Sequence, residues 1–131
     1  MTPGSAHNDP KDDKIANNSH IETLLDWLME VWGVYYLHKE TFHLAEGLLD
    51  HFLSVAPPVP TSRLQLVGMT CFFMSCGVEE SSPPSLEELA YLTDGACTAE
   101  EIQQLETIIS RCLDGGRISF EDLRGLRWGP E

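Results

Sequence analysis

The stretch TSRLQLVGMTCFFMSC, residues 61–76, decides the fold. Leu64, Leu66, Val67, Met69, Cys71, Phe72, Phe73 and Met74 fall on every side of a 3.6-residue repeat and leave no wide polar face. A helix apolar all round is covered on all sides, so this segment is predicted to be the central rod of a helical bundle. Pro57-Pro58-Val59-Pro60 precedes it, and the turn Ser81-Ser82-Pro83-Pro84 follows. Gly77 is expected to stop the helix.

The segments flanking this rod are amphipathic. Before it, Lys39 to Val55 carries Phe42, Ala45, Leu48, Leu49, Phe52 and Leu53 on one side. Earlier still, Ile21, Leu24, Leu25, Leu28, Val31 and Trp32 recur at helical spacing. The pair Ser19 and Glu22 is read as the capping box opening that helix, which ends near Gly33 to Tyr36. Beyond the rod, two more Ser/Thr-x-x-Glu boxes, Ser85 with Glu88 and Thr98 with Glu101, open short helices through about Tyr91 and Leu113. The expectation is an all-α bundle of five helices over residues 19–113, with no repeat and no strand. Residues 1–18, rich in Pro, Gly, Asn, Asp and Lys, are expected to form a flexible arm. Residues 114–131 form a short tail with too few apolar groups for another packed unit, although Phe120, Leu123, Leu126 and Trp128 are able to dock back.

Composition narrows the function classes. The 131 residues carry 8 Lys plus Arg against 21 Asp plus Glu, a formal charge of −13, which repels a phosphate backbone and argues against direct nucleic-acid binding. Neither a membrane-spanning apolar run nor a signal-peptide pattern is present, so a membrane association and secretion are not expected. Cys71, Cys76, Cys97 and Cys112 lie in or beside apolar helical stretches and are read as reduced thiols of a cytosolic or nuclear protein. Catalysis lacks its constellations. Cys71 and Cys76 are five apart, so they make no Cys-x-x-Cys pair, and His38, His43 and His51 lack a second cluster to complete a metal cage. Glu79-Glu80 and Glu87-Glu88 read as solvated charge, and no glycine-rich phosphate loop occurs. Neither enzyme activity, cofactor nor metal is expected; the surface reads as a binding surface.

From LLDWLMEV (24–31) onward the chain resembles the N-terminal cyclin box, and the match continues in order. LHKETFHLAEGLLDHFLSV (37–55) resembles the second cyclin helix, RLQLVGMTCFFMSCGVEESSPP (63–84) the central third helix and its exit, and ELAYLTDGACTAEEIQQLETII (88–109) the fourth and fifth. LHKETF and YLTDGAC are most similar to E-type cyclins. The resemblance implies a non-catalytic regulatory subunit in cell-cycle control, acting in the nucleus with the cytoplasm as a second compartment. Its partner would be a cyclin-dependent kinase, gripped by the third and fifth helices so that the active kinase conformer is favoured.

On the same resemblance, the kinase-binding residues are Met74, Val78 and Glu106. The family's basic residue before the apolar contact falls on Gly77, family apolar contacts fall on Ser110, Gly115 and Arg117, and Ser81-Ser82 replaces the family's Ile-Tyr. A second surface, the family's docking patch for Arg-x-Leu peptides of substrates or inhibitors, maps onto Leu24, Trp27 and Gln65, with His20 and Thr23 replacing apolar members. The family arginine falls on Ile21 while its acidic partner persists as Asp50, so either Asp50 is exposed or the local packing differs. Plainer readings stand beside these: Glu106 as a solvated carboxylate, Met74 and Val78 as core, Trp27 as packing. Loss of the basic contact and absence of a second cyclin box after Gly115-Gly116 favour an alternative, a cyclin-fold interaction module that binds a kinase without activating it.

Overall fold

The computed structural model describes residues 14–128. Its described residues form five α-helices, α1 (Asn18–Val34), α2 (Lys39–Val55), α3 (Thr61–Glu79), α4 (Leu86–Leu92) and α5 (Ala99–Arg111), followed by a 3-10 turn at Arg124–Leu126. The central rod is borne out. α3 packs against all four other helices, and Leu66, Val67, Met69, Cys71, Phe72 and Cys76 have no exposed surface. Around it, Leu24 and Leu28 of α1, Phe42, Ala45, Leu49 and Phe52 of α2, Leu89 of α4 and Ile102, Leu105 and Ile109 of α5 complete one core. Two of the polar groups inside are satisfied locally: Thr70 and Ser75 donate to the carbonyls of Leu66 and Cys71 one turn back. None of the helices is long and apolar enough to cross a membrane.

The structure corrects several expectations. α1 starts earlier than expected, and its cap is not Ser19 with Glu22. Asn17 is the N-cap, its Oδ1 accepting from the His20 N–H at 3.1 Å while the His20 ring Nδ1 accepts from the Asn17 N–H at 3.0 Å. An imidazole thus does what Glu or Gln ordinarily does at the third helical position. The Ser85–Glu88 and Thr98–Glu101 boxes form as expected.

Gly77 does not stop α3, which continues to Glu79. Glycine permits a left-handed residue without compelling one, and here the helix ends only where Glu80 is held by α2, just before the Ser-Ser-Pro-Pro turn. Residues 14–18, expected to belong to a flexible arm, are tied to the bundle: the Ala16 N–H donates to the Val59 carbonyl and the Thr61 N–H to the Lys14 carbonyl, both at 2.7 Å. The second bond satisfies one of the unpaired N–H groups in the first turn of α3, whose N-cap is proline and offers no side-chain cap. Residues 1–13 of the arm lie outside the described residues.

The tail docks. Ile118, Leu123, Leu126 and Trp128 are buried, while Phe120 stays half exposed. The Ile118 N–H donates to the Val55 carbonyl at 2.9 Å, and the Trp128 indole lies 5.8 Å from the Phe52 ring with its Nε1 donating to the Pro58 carbonyl.

Candidate functional site

Two faces of the bundle carry the residues singled out in the sequence. The first group lies on two packed helices, Met74 and Val78 on the C-terminal half of α3 and Glu106 on α5. Met74 and Val78 are one turn apart on α3 and so share a face. Met74 is half-buried against the core, whereas Val78 is 72% exposed at the helix end, a large apolar group without cover. Glu106 is half-buried in the middle of α5, the helix that packs against α3. Val78 as a core residue is therefore ruled out, while Met74 keeps both characters. Gly77 is exposed and a Cβ there would meet nothing within 4 Å, so its lack of a side chain is a lack of a contact group, not a packing requirement. Ser110, Gly115 and Arg117 are exposed as well.

The C-terminal end of α3 is fixed by a carboxylate. Glu80, expected to be solvated, has only 8% of its side chain exposed; it accepts from the His38 N–H at 2.8 Å, the Thr41 hydroxyl and the His38 ring Nδ1 at 2.9 Å. α2 has no side-chain cap of its own, so Glu80 supplies one from another helix. Burial alone would raise the Glu80 pKa, but these hydrogen bonds together hold it below the ordinary carboxylate value. Glu79 beside it is exposed, as expected.

The second face is a groove of about 360 Å³ between α1 and the start of α3, lined by His20, Thr23, Leu24, Trp27, Thr61, Leu64 and Gln65. Leu24 and Trp27 of α1 and Gln65 of α3, distant in sequence, are brought together in it. Its apolar surface comes from Leu24 and Leu64, each buried, with Trp27 half-buried beside them. Leu24 owes its place to Gly68: a Cβ at that position would come within 2.7 Å of Leu24 Cδ1. The missing side chain leaves a notch into which Leu24 settles. His20 is there as a capping residue as much as a lining one. Asp50 is exposed and Ile21 packs against the core, so the arginine's replacement by an apolar residue accompanies solvation of the acid.

Sequence reasoning missed an ion cluster at the N-terminus of α5. Glu101, besides capping Thr98, accepts from Arg63 Nη1 at 3.3 Å and from Arg127 Nη2 at 2.9 Å. Arg63 is buried, and its Nη2 donates to the Ala96 carbonyl at 2.9 Å. Desolvation would raise the Glu101 pKa, but the Thr98 backbone bond and the two guanidinium groups outweigh it and lower it. The signal was a lone arginine at the start of an otherwise apolar helix. All four cysteines are free and buried. Desolvation pushes the Cys71 thiol up to about 12, and burial with the nearby Glu80 charge does the same for Cys76.

Comparison with known proteins agrees with this geometry. The family described as "Cyclin, N-terminal domain" matches residues 3–115. The chain is 44% identical over 119 residues to G1/S-specific cyclin-E of Drosophila melanogaster, covering 82% of this chain and 17% of that protein. It is 46% identical over 105 residues to G1/S-specific cyclin-E1 of Danio rerio, covering 80% and 25%, and 47% identical over 91 residues to G1/S-specific cyclin-E1 of Gallus gallus, covering 70% and 22%. The chain thus spans a quarter or less of the length of these relatives.

Proposed function

This chain belongs to the cyclin family, and we propose that it is a non-catalytic regulatory subunit that binds a cyclin-dependent serine/threonine kinase and sets its activity in cell-cycle control, in the nucleus. The observation that supports this reading is the α3–α5 face, where Val78 is an uncovered apolar anchor and Met74 and Glu106 stand on the packed helix pair. An exposed apolar group on α3 and a carboxylate on the helix packed against it suit a protein partner: the apolar group supplies buried area and the carboxylate supplies register. No bond-breaking step is assigned to the chain. Its effect is a shift of the kinase's population toward the conformer it contacts. The groove of Leu24, Trp27, Leu64 and Gln65 would hold an extended Arg-x-Leu peptide of a substrate or inhibitor, the leucine against Leu24 and Leu64.

The alternative, binding without activation, is favoured by particular residues. Gly77 offers no side chain to the partner, and Ser110, Gly115 and Arg117 put small or polar groups where anchors are ordinarily apolar. A kinase assay on a histone substrate with purified components separates the two. Phosphate transfer above that of the kinase alone establishes the regulator; binding with no gain establishes the alternative. Loss of binding on Glu106→Ala supports the residue assignment, and unchanged binding refutes it.

A further inference from the structure

We propose that Ser82 is a phosphorylation site for a proline-directed serine/threonine kinase, and that its phosphate opposes docking of a partner on the α3–α5 face; the second half rests on the function proposed for that face. Only two serines or threonines in the chain precede a proline, Thr2 and Ser82. Ser82 lies in the irregular connection between α3 and α4, where Ser81, Ser82 and Pro83 are all exposed and Pro84 is buried as an anchor. Proline after the acceptor fixes its own φ, lacks an N–H and pushes the preceding residue toward an extended backbone, the shape a kinase cleft takes up. The Ser82 hydroxyl oxygen attacks the γ-phosphorus of ATP, the bond to the β,γ-bridging oxygen breaks, ADP leaves, and the hydroxyl proton passes to the kinase's catalytic base.

The surroundings determine what the phosphate does. It adds a charge of about −1.5 to −2 at neutral pH. No lysine or arginine occurs in the sequence between Arg63 and Arg111, whereas Glu79, Glu80, Glu87 and Glu88 flank the connection. The start of α2 brings His38 and the exposed Lys39 to this end, and His38 is already held by Glu80. A phosphate here therefore orders nothing through a guanidinium and instead adds like charge to an acidic rim. Val78 is four residues away, at most about 14 Å along an extended chain and so within two screening lengths of about 8 Å at physiological salt.

The test treats the full chain with a purified proline-directed kinase that needs no cyclin, with magnesium and ATP, and locates phosphate by mass spectrometry. The expected result is one phosphate on Ser82, retained in Thr2→Ala and absent in Ser82→Ala. In a binding titration with a purified cyclin-dependent kinase, the phosphorylated chain binds at least about tenfold more weakly than the untreated one. Treated Ser82→Ala binds like untreated chain. No phosphate on Ser82, or phosphate with unchanged or tighter binding, overturns the proposal. Failure of the unmodified chain to bind any such kinase overturns the reading of the face, while the mass spectrum still decides the modification.

Discussion

At the scale of single residues, two glutamates do work that their neighbours do not. Glu80 and Glu101 each accept several hydrogen bonds, and both carboxyls are held below the ordinary value despite burial. When the folded-state pKa lies below the unfolded one, the unfolded chain takes up more protons as acid is added. This contribution is fully present above the ordinary carboxylate value of 4.5 and is lost as pH falls through the lowered folded values. Thermal unfolding followed by circular dichroism is expected to show a midpoint that drops in that acid window. Glu101→Gln should flatten the drop and remove about 2 kcal/mol at neutral pH, because the Arg63 guanidinium loses its charged partner. An unchanged acid slope in Glu101→Gln would contradict the account. The buried thiols give a second check: with pKa values pushed up to about 12, Cys71 and Cys76 should resist iodoacetamide in native buffer and react only on unfolding. The residue scale is also where the sequence was least legible. Glu79 and Glu80 are chemically identical neighbours, and only the meeting of α2 and α3 distinguishes the solvated one from the buried cap. The Asn17–His20 box carries no ordinary sequence signal, because histidine is not the usual partner for a cap.

At the scale of elements, the rod and its shell were legible because periodicity and capping chemistry agreed. The two Ser/Thr-x-x-Glu boxes started α4 and α5 where expected, and the all-apolar pattern of 61–76 required a central position. The end of α3 was not legible, since Gly77 is only a permissive signal and the helix is ended by a contact from another element. Approach distances were equally hidden: Gly68 reads as a weak spot in a helix, yet it sets how closely α1 crosses α3. Gly68→Ala is expected to push Leu24 toward the groove, lower stability by about 1–2 kcal/mol through overpacking, and weaken a bound Arg-x-Leu peptide. A titration of Gly68→Ala with such a peptide at wild-type affinity would show that Leu24 has other room. The tail makes a matching prediction. Trp128→Ala removes the ring packed on Phe52 and should lower stability by about 3 kcal/mol in a denaturant titration.

At the scale of the molecule, one strongly acidic bundle presents two distinct faces, a groove at the start of α3 and an apolar-acidic rim at its end. The groove residues Thr61, Leu64 and Gln65 and the exposed Val78 sit at opposite ends of the helix that everything else packs around, so the core fixes the separation of the two proposed surfaces. The most direct test is isothermal titration of the purified chain into a purified cyclin-dependent kinase, repeated with Glu106→Ala and with Trp27→Ala. The account predicts a one-to-one complex that Glu106→Ala weakens by about tenfold or more and Trp27→Ala leaves nearly unchanged. No heat of binding in the wild-type chain, or equal affinity for wild type and Glu106→Ala, would contradict it.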